Sequence, residues 1–95
     1  MPAVSRKGDG GTGHGVFPPR ASTEGSANVF VEGKPIHRVG DAWGAHCDPS
    51  PSCHAGVLSA GSPSVYANGS PIGRVGDAVD CGSAIASGSS TVFSN

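Results

Sequence analysis

Ninety-five residues and a formal net charge of −1 limit this chain to one small domain. Sixteen glycines, eight prolines and 5% aromatic residues exclude a large apolar core, so a staple is expected: a disulfide, a metal or a partner subunit. Six scattered Lys and Arg give no basic stripe for nucleic acid, and no run of about 18 apolar residues exists to cross a membrane as a helix.

In chain order, the N-terminus lacks a basic segment followed by an apolar stretch. The protein is therefore expected to be made in the cytoplasm without a signal peptide. If it leaves the cell, another machine carries it. Ala3–Arg6 reads as a short strand running into Arg6-Lys7-Gly8-Asp9. A loop with His14 and Pro18-Pro19-Arg20 follows. Ala27–Glu32 reads as a strand, Glu32-Gly33 as a turn, and Pro35-Ile36 begins a return strand that ends at Gly40-Asp41. The next loop holds His46, Cys47, Cys53 and His54, and Gly56–Ser59 is a further candidate strand. Ser64–Ala67, the hairpin signal Asn68-Gly69 and the return from Pro71-Ile72 to Gly76-Asp77 repeat the earlier hairpin. Thr91–Ser94 is the last candidate strand. No segment has a convincing amphipathic helical period.

The phrase V-[FY]-x-x-G-x-P-I-x-R-V-G-D-A occurs twice, at Val29–Ala42 and at Val65–Ala78, without a gap. Arg6, Gly8 and Asp9 repeat its R-x-G-D end. Gly88, Ser89, Val92 and Phe93 match the G-S-x-x-V-[FY] that leads into each copy, Gly25, Ser26, Val29, Phe30 and Gly61, Ser62, Val65, Tyr66. The chain thus opens with the end of a unit and closes with the start of one. That predicts an all-β, closed object of three hairpin repeats, with pseudo-three-fold arrangement. Each Gly-Asp is expected to cap the turn that comes after it, its carboxylate taking backbone N–H groups.

Three cysteines rule out a fully disulfide-bonded framework, and four histidines in so short a chain point to metal. His14 and His46 each lie five residues after a Gly-Asp, and Cys81 lies four after the third. His54 and Cys81 each lie seven residues before a Gly-Ser. The predicted ligand set is His14, His46, His54 and Cys81, four N/S donors that suit a closed tetrahedral zinc site. Cys47 or Cys53 is the alternative fourth ligand. Those two cysteines either close a small disulfide loop or, the more ordinary reading, are free thiols in a reducing cytoplasm. His37, opposite Gly73 in the other copy, reads as an ordinary surface histidine.

The single carboxylates do not make a calcium loop, and the recurring Arg and Asp are expected to pin strand ends and turns. No serine has a G-x-S-x-G context. A zinc-bound Cys81 thiolate is not free to attack, so no catalysis is expected.

The duplicated phrase, its flanking G-S-x-x-V and the late Cys81-Gly82 resemble the PAAR-repeat proteins over essentially the whole chain. The resemblance implies a small cone of three β-hairpin repeats, pinned near its apex by one zinc ion held by three histidines and a cysteine. By position these are again His14, His46, His54 and Cys81; iron is the alternative metal. It also implies a partner: the blunt end of a trimeric β-helix spike, either VgrG of a type VI secretion system or the central spike of a contractile phage tail. One tip per trimer would sharpen the spike and help it pierce the target envelope, ending at a virion tail tip or inside a target cell. Residues 1–95 are expected to be a bare tip without an effector extension, leaving room for separate effector cargo held non-covalently. The rival expectation is a free-standing zinc-stabilised binding module.

Overall fold

Apolar residues in this chain come in runs of at most three, too short for any long strand. The computed structural model describes residues 1–95 and contains no helix. Its strands are β1 (Gly10–Gly11), β2 (Arg20–Ala21), β3 (Phe30–Val31), β4 (Lys34–Pro35), β5 (Ala42–Cys47), β6 (Cys53–Val57), β7 (Tyr66–Ala67) and β8 (Ser70–Pro71). They form four antiparallel two-stranded ribbons: β1–β2, β3–β4, β5–β6 and β7–β8. Only 9 of the 42 backbone hydrogen bonds lie inside these strands. Pairing between distant segments therefore holds the molecule, which is elongated at 39 × 24 × 22 Å.

The β3–β4 and β7–β8 hairpins are the two expected from the duplicated phrase. Their turns, Glu32-Gly33 and Asn68-Gly69, have both residues at positive φ (55° and 79°; 54° and 80°), the pattern of a type I′ turn. Glu32 accepts this conformation while its carboxylate takes bonds from Arg6 Nη1 at 2.6 Å and Thr91 Oγ1 at 2.7 Å.

The strands begin later than the apolar pattern predicts, and the G-S pairs explain why. Ser26 Oγ accepts the N–H of Asn28 and Val29, Ser62 Oγ those of Ser64 and Val65, and Ser89 Oγ those of Thr91 and Val92. A buried hydroxyl thus takes the donors that a ladder would have used.

The third hairpin is built from the two chain ends. Ile36 donates to Val29 and Ile72 to Val65; Val4 donates to Val92 in the same way. Ser26, Ser62 and Ser89 return a bond to Ile36, Ile72 and Val4 respectively. Three further bonds close a ring between units: Ser5 N–H to Gly73 O (2.9 Å), Gly73 N–H to His37 O (2.8 Å) and His37 N–H to Ser5 O (3.0 Å). At Gly73 a Cβ would lie 2.7 Å from Leu58 Cδ2, so the missing side chain leaves room for core packing while His37 fills the interior at the matching place.

Each R-x-G-D closes on itself. The Arg6, Arg38 and Arg74 guanidinium groups each pair side-on with Asp9, Asp41 and Asp77, and the same carboxylates accept the arginine backbone N–H at 2.8–2.9 Å. The aspartate therefore caps its own turn rather than the next one, a correction to the sequence expectation. The turn needs the glycine: φ is +93°, +92° and +95° at Gly8, Gly40 and Gly76.

The core divides in two. Val4, Val31, Ile36, Ala67 and Ile72 form one buried cluster from the repeated hairpins. Trp43, Leu58, Val79 and Ile85 form the other, with Cys81 packed against it.

Candidate metal centre

The β5–β6 hairpin carries two of the predicted ligands, and its register decides where they point. Side chains alternate along a strand, so Trp43 and His46, three apart, should face opposite ways. The pairing runs Ala42↔Val57 and Trp43↔Gly56, then shifts by one residue to His46↔His54 and Cys47↔Cys53. The extra residue is a β-bulge, which re-aims the side chains beyond it. Trp43 and His46 are consequently both buried, and His46 stands directly across from His54.

His14 arrives on the first unit's loop, where it exchanges backbone bonds with Phe17 at 3.0 and 2.9 Å around a two-residue turn. Cys81 sits in a tight loop closed by Val79 N–H to Ser83 O at 2.8 Å. The four predicted ligand residues, from three segments far apart in sequence, meet at one point. Their donor atoms all lie within 4.8 Å of one another.

The three Nε2 atoms form a triangle with sides of 3.1 Å (His14–His46), 3.0 Å (His14–His54) and 2.7 Å (His46–His54), and Cys81 Sγ is 4.0 Å from His46 Nε2. Tetrahedral zinc with nitrogen at about 2.05 Å requires roughly 3.3 Å between nitrogens, so the triangle is close to the size needed. His46 Nδ1 lies 2.7 Å from the Pro18 carbonyl. A carbonyl only accepts, so Nδ1 carries a proton, the arrangement that leaves Nε2 as the ligand atom of a neutral ring. Three imidazole nitrogens facing one another cannot all be satisfied by sharing protons. A cation among them satisfies all three, and the donor set fits a metal.

A layer of other residues supports these four. Phe17 packs against all three imidazoles, with ring centroids 4.9, 5.1 and 4.3 Å from His14, His46 and His54. Arg20 donates from Nη2 to Cys81 Sγ (3.0 Å), from Nη1 to Ser83 Oγ (2.9 Å) and from Nε to Gly44 O (3.0 Å), and lies over the Trp43 ring. Burial would push the Cys81 thiol up. Hydrogen bonds from Ser83 and from the Arg20 guanidinium outweigh it and hold the thiol below its ordinary value. His14 is held below the usual histidine value, chiefly by desolvation and then by its two histidine neighbours.

Sequence reasoning missed Phe17 and the role of Arg20. A signal existed for the loop: counting seven residues back from Gly25 reaches Pro18, the unit-one counterpart of His54 and Cys81. Its carbonyl orients a ligand instead of supplying one.

Two expectations are corrected. His37 is fully buried rather than a surface residue; it packs edge-on to Trp43, with Nδ1 2.7 Å from the Glu24 carbonyl. Burial holds its pKa down. Cys47 and Cys53 are joined by a disulfide and are not free thiols. Neither joins the cluster, because they occupy the hairpin face opposite His46 and His54.

A closed hairpin ring with a His₃Cys cluster able to hold a metal defines a small β-domain. The PAAR motif family matches residues 12–87. The chain belongs to that family, which supports a spike-tip protein associated with type VI secretion or phage. A search of curated proteins gives no match.

Proposed function

We propose that this protein is a zinc-stabilised tip that caps the blunt end of a trimeric β-helix spike, VgrG or a phage central spike, one tip per trimer. There it sharpens the spike and helps it pierce a target envelope. One observation carries the docking half of this reading. Val29 with Phe30, Val65 with Tyr66, and Val92 with Phe93 are repeat-equivalent apolar pairs, and all six residues are exposed although the chain has few large apolar groups. Each pair adjoins the cluster of Val4, Val31, Ile36, Ala67 and Ile72, away from the metal ligands. Three similar apolar edges on one molecule match a partner that offers three identical edges.

His14, His46, His54 and Cys81 would hold the metal, and three imidazoles with one thiolate favour zinc in a closed, non-catalytic site. Bound there, zinc supplies folding free energy on the order of 10 kcal/mol. That energy would add to the small core beside it, Trp43, Leu58, Val79 and Ile85.

The test is co-migration of the protein with a VgrG-type trimeric spike at one tip per three spike chains. Tyr66→Asp and Phe30→Asp should abolish the complex, while Val16→Asp, exposed on the His14 turn, should leave it intact. Failure to bind any such spike returns the protein to the rival reading, a free-standing metal-stabilised binding module.

A further inference from the structure

The disulfide is placed where it can govern the metal site. Cys47↔Cys53 is the ladder pair immediately beyond His46↔His54. Those two histidines supply half of the ligand set and have its shortest separation, 2.7 Å. Both cysteines are exposed. The five residues between them form a preshaped loop. The Asp48 carboxylate accepts the N–H of Ser50 (2.9 Å) and Ser52 (2.6 Å), and Asp48 N–H donates to Ser52 O (2.9 Å). Those loop bonds do not involve the sulfurs, so the chain between the cysteines can stay short and folded back after the covalent bond opens, which favours reclosure.

We propose that Cys47 and Cys53 form a redox-sensitive clasp on the metal hairpin: closed, it holds His46 and His54 as a rigid pair; opened by thiols, it lets the hairpin end fray and the metal exchange. Closure consumes a disulfide reagent, either a small molecule or a protein. One cysteine thiolate displaces a thiolate from R–S–S–R to give a mixed disulfide, and the second displaces the other. The protein's two sulfurs are oxidised, the reagent's two are reduced, and the two protons end on two R–SH. A chain made among reducing thiols would load metal with the clasp open. It would lock the metal on meeting disulfides outside that compartment.

This inference rests on the metal-site reading, and the experiment separates the two. The full chain is loaded with zinc and divided into oxidised and phosphine-reduced samples; titration should find one thiol in unfolded oxidised protein and three in reduced. Zinc transfer to a chelating dye is then timed for both samples and for the Cys47→Ser/Cys53→Ser double variant, which is permanently open and needs no reductant. Release from the oxidised form is expected to be slower by about tenfold or more than from the other two, which should agree. In metal-free protein, amide exchange at residues 46–54 should speed up on reduction while that at Ile36 and Ile72 does not change. Equal release from all three samples overturns the clasp. Reduced protein that holds zinc more tightly than the double variant also overturns it, because the thiols would then be ligands. Zinc binding in none of them overturns the metal site itself.

Discussion

The two halves of this molecule are stabilised by different means. The half around Val4, Val31, Ile36, Ala67 and Ile72 is made of repeats. Three hairpins, three G-S turns and three Arg–Asp pairs each recur with the same bonds. The half around Trp43, Leu58, Val79 and Ile85 is made of loops that differ from unit to unit, held by a bulge, a disulfide, Arg20 and the ligand cluster. Redundancy secures the first half, since its hairpin, Gly-Ser and Arg–Asp bonds are each present three times. The second lacks that redundancy, and four converging side chains add to the packing around Trp43, Leu58, Val79 and Ile85.

That contrast predicts unequal responses to substitution. The largest effect belongs to the ligands. Cys81→Ala or His46→Ala should eliminate tight zinc retention and remove most of the metal's contribution, on the order of 10 kcal/mol. Elemental analysis and thermal unfolding of the purified variants would measure both. Ile72→Ala, in the repeated half, should cost about 2–5 kcal/mol through its cavity and leave one zinc per chain. Loss of zinc in Ile72→Ala would erase the distinction between the halves.

Arg20→Ala should lower zinc affinity by about 10–100-fold, as expected when a ligand's hydrogen-bond donor is removed. Arg20→Lys should recover part of it. In cobalt-substituted protein the sulfur-to-metal charge-transfer band should shift in Arg20→Ala, a change that loosened packing alone would not produce.

The smallest effect is a pH dependence in metal-free protein. Burial lowers the His37 pKa in the folded state, and desolvation does the same to His14. The unfolded chain takes its histidine protons first, at about pH 6.5. Their contribution is thus complete above that value and is lost as pH falls through the folded pKa values. Melting temperature should drop on acidification below about 6.5, and less steeply in His37→Gln. A flat profile would show that neither imidazole is held neutral.

The His/Cys cluster was legible in the sequence because the repeat provides fixed reference points. Counting from Gly-Asp and Gly-Ser reaches His14, His46, His54 and Cys81, and the structure brings these four together. The hairpin that positions two of them was not legible. Ala42–Cys47 has no apolar alternation to mark it as a strand, because the bulge puts Trp43 and His46 on one face. His37 escaped for a related reason. Its counterpart is Gly73, and a glycine opposite a histidine looks like surface tolerance, yet in the fold both lie on one interior ring of backbone bonds, where Leu58 leaves no room for a side chain at Gly73. The Cys47–Cys53 bond depends on the same hidden register.

The ring of bonds through Ser5, His37 and Gly73 bears on how the protein responds to force. Each unit donates to one neighbour and accepts from the other, so the circuit has no loose seam at which peeling could begin. A force applied along the axis of that ring would be divided among its three bonds, one from each unit to the next. Rupture under load should be one abrupt event rather than a stepwise unzipping.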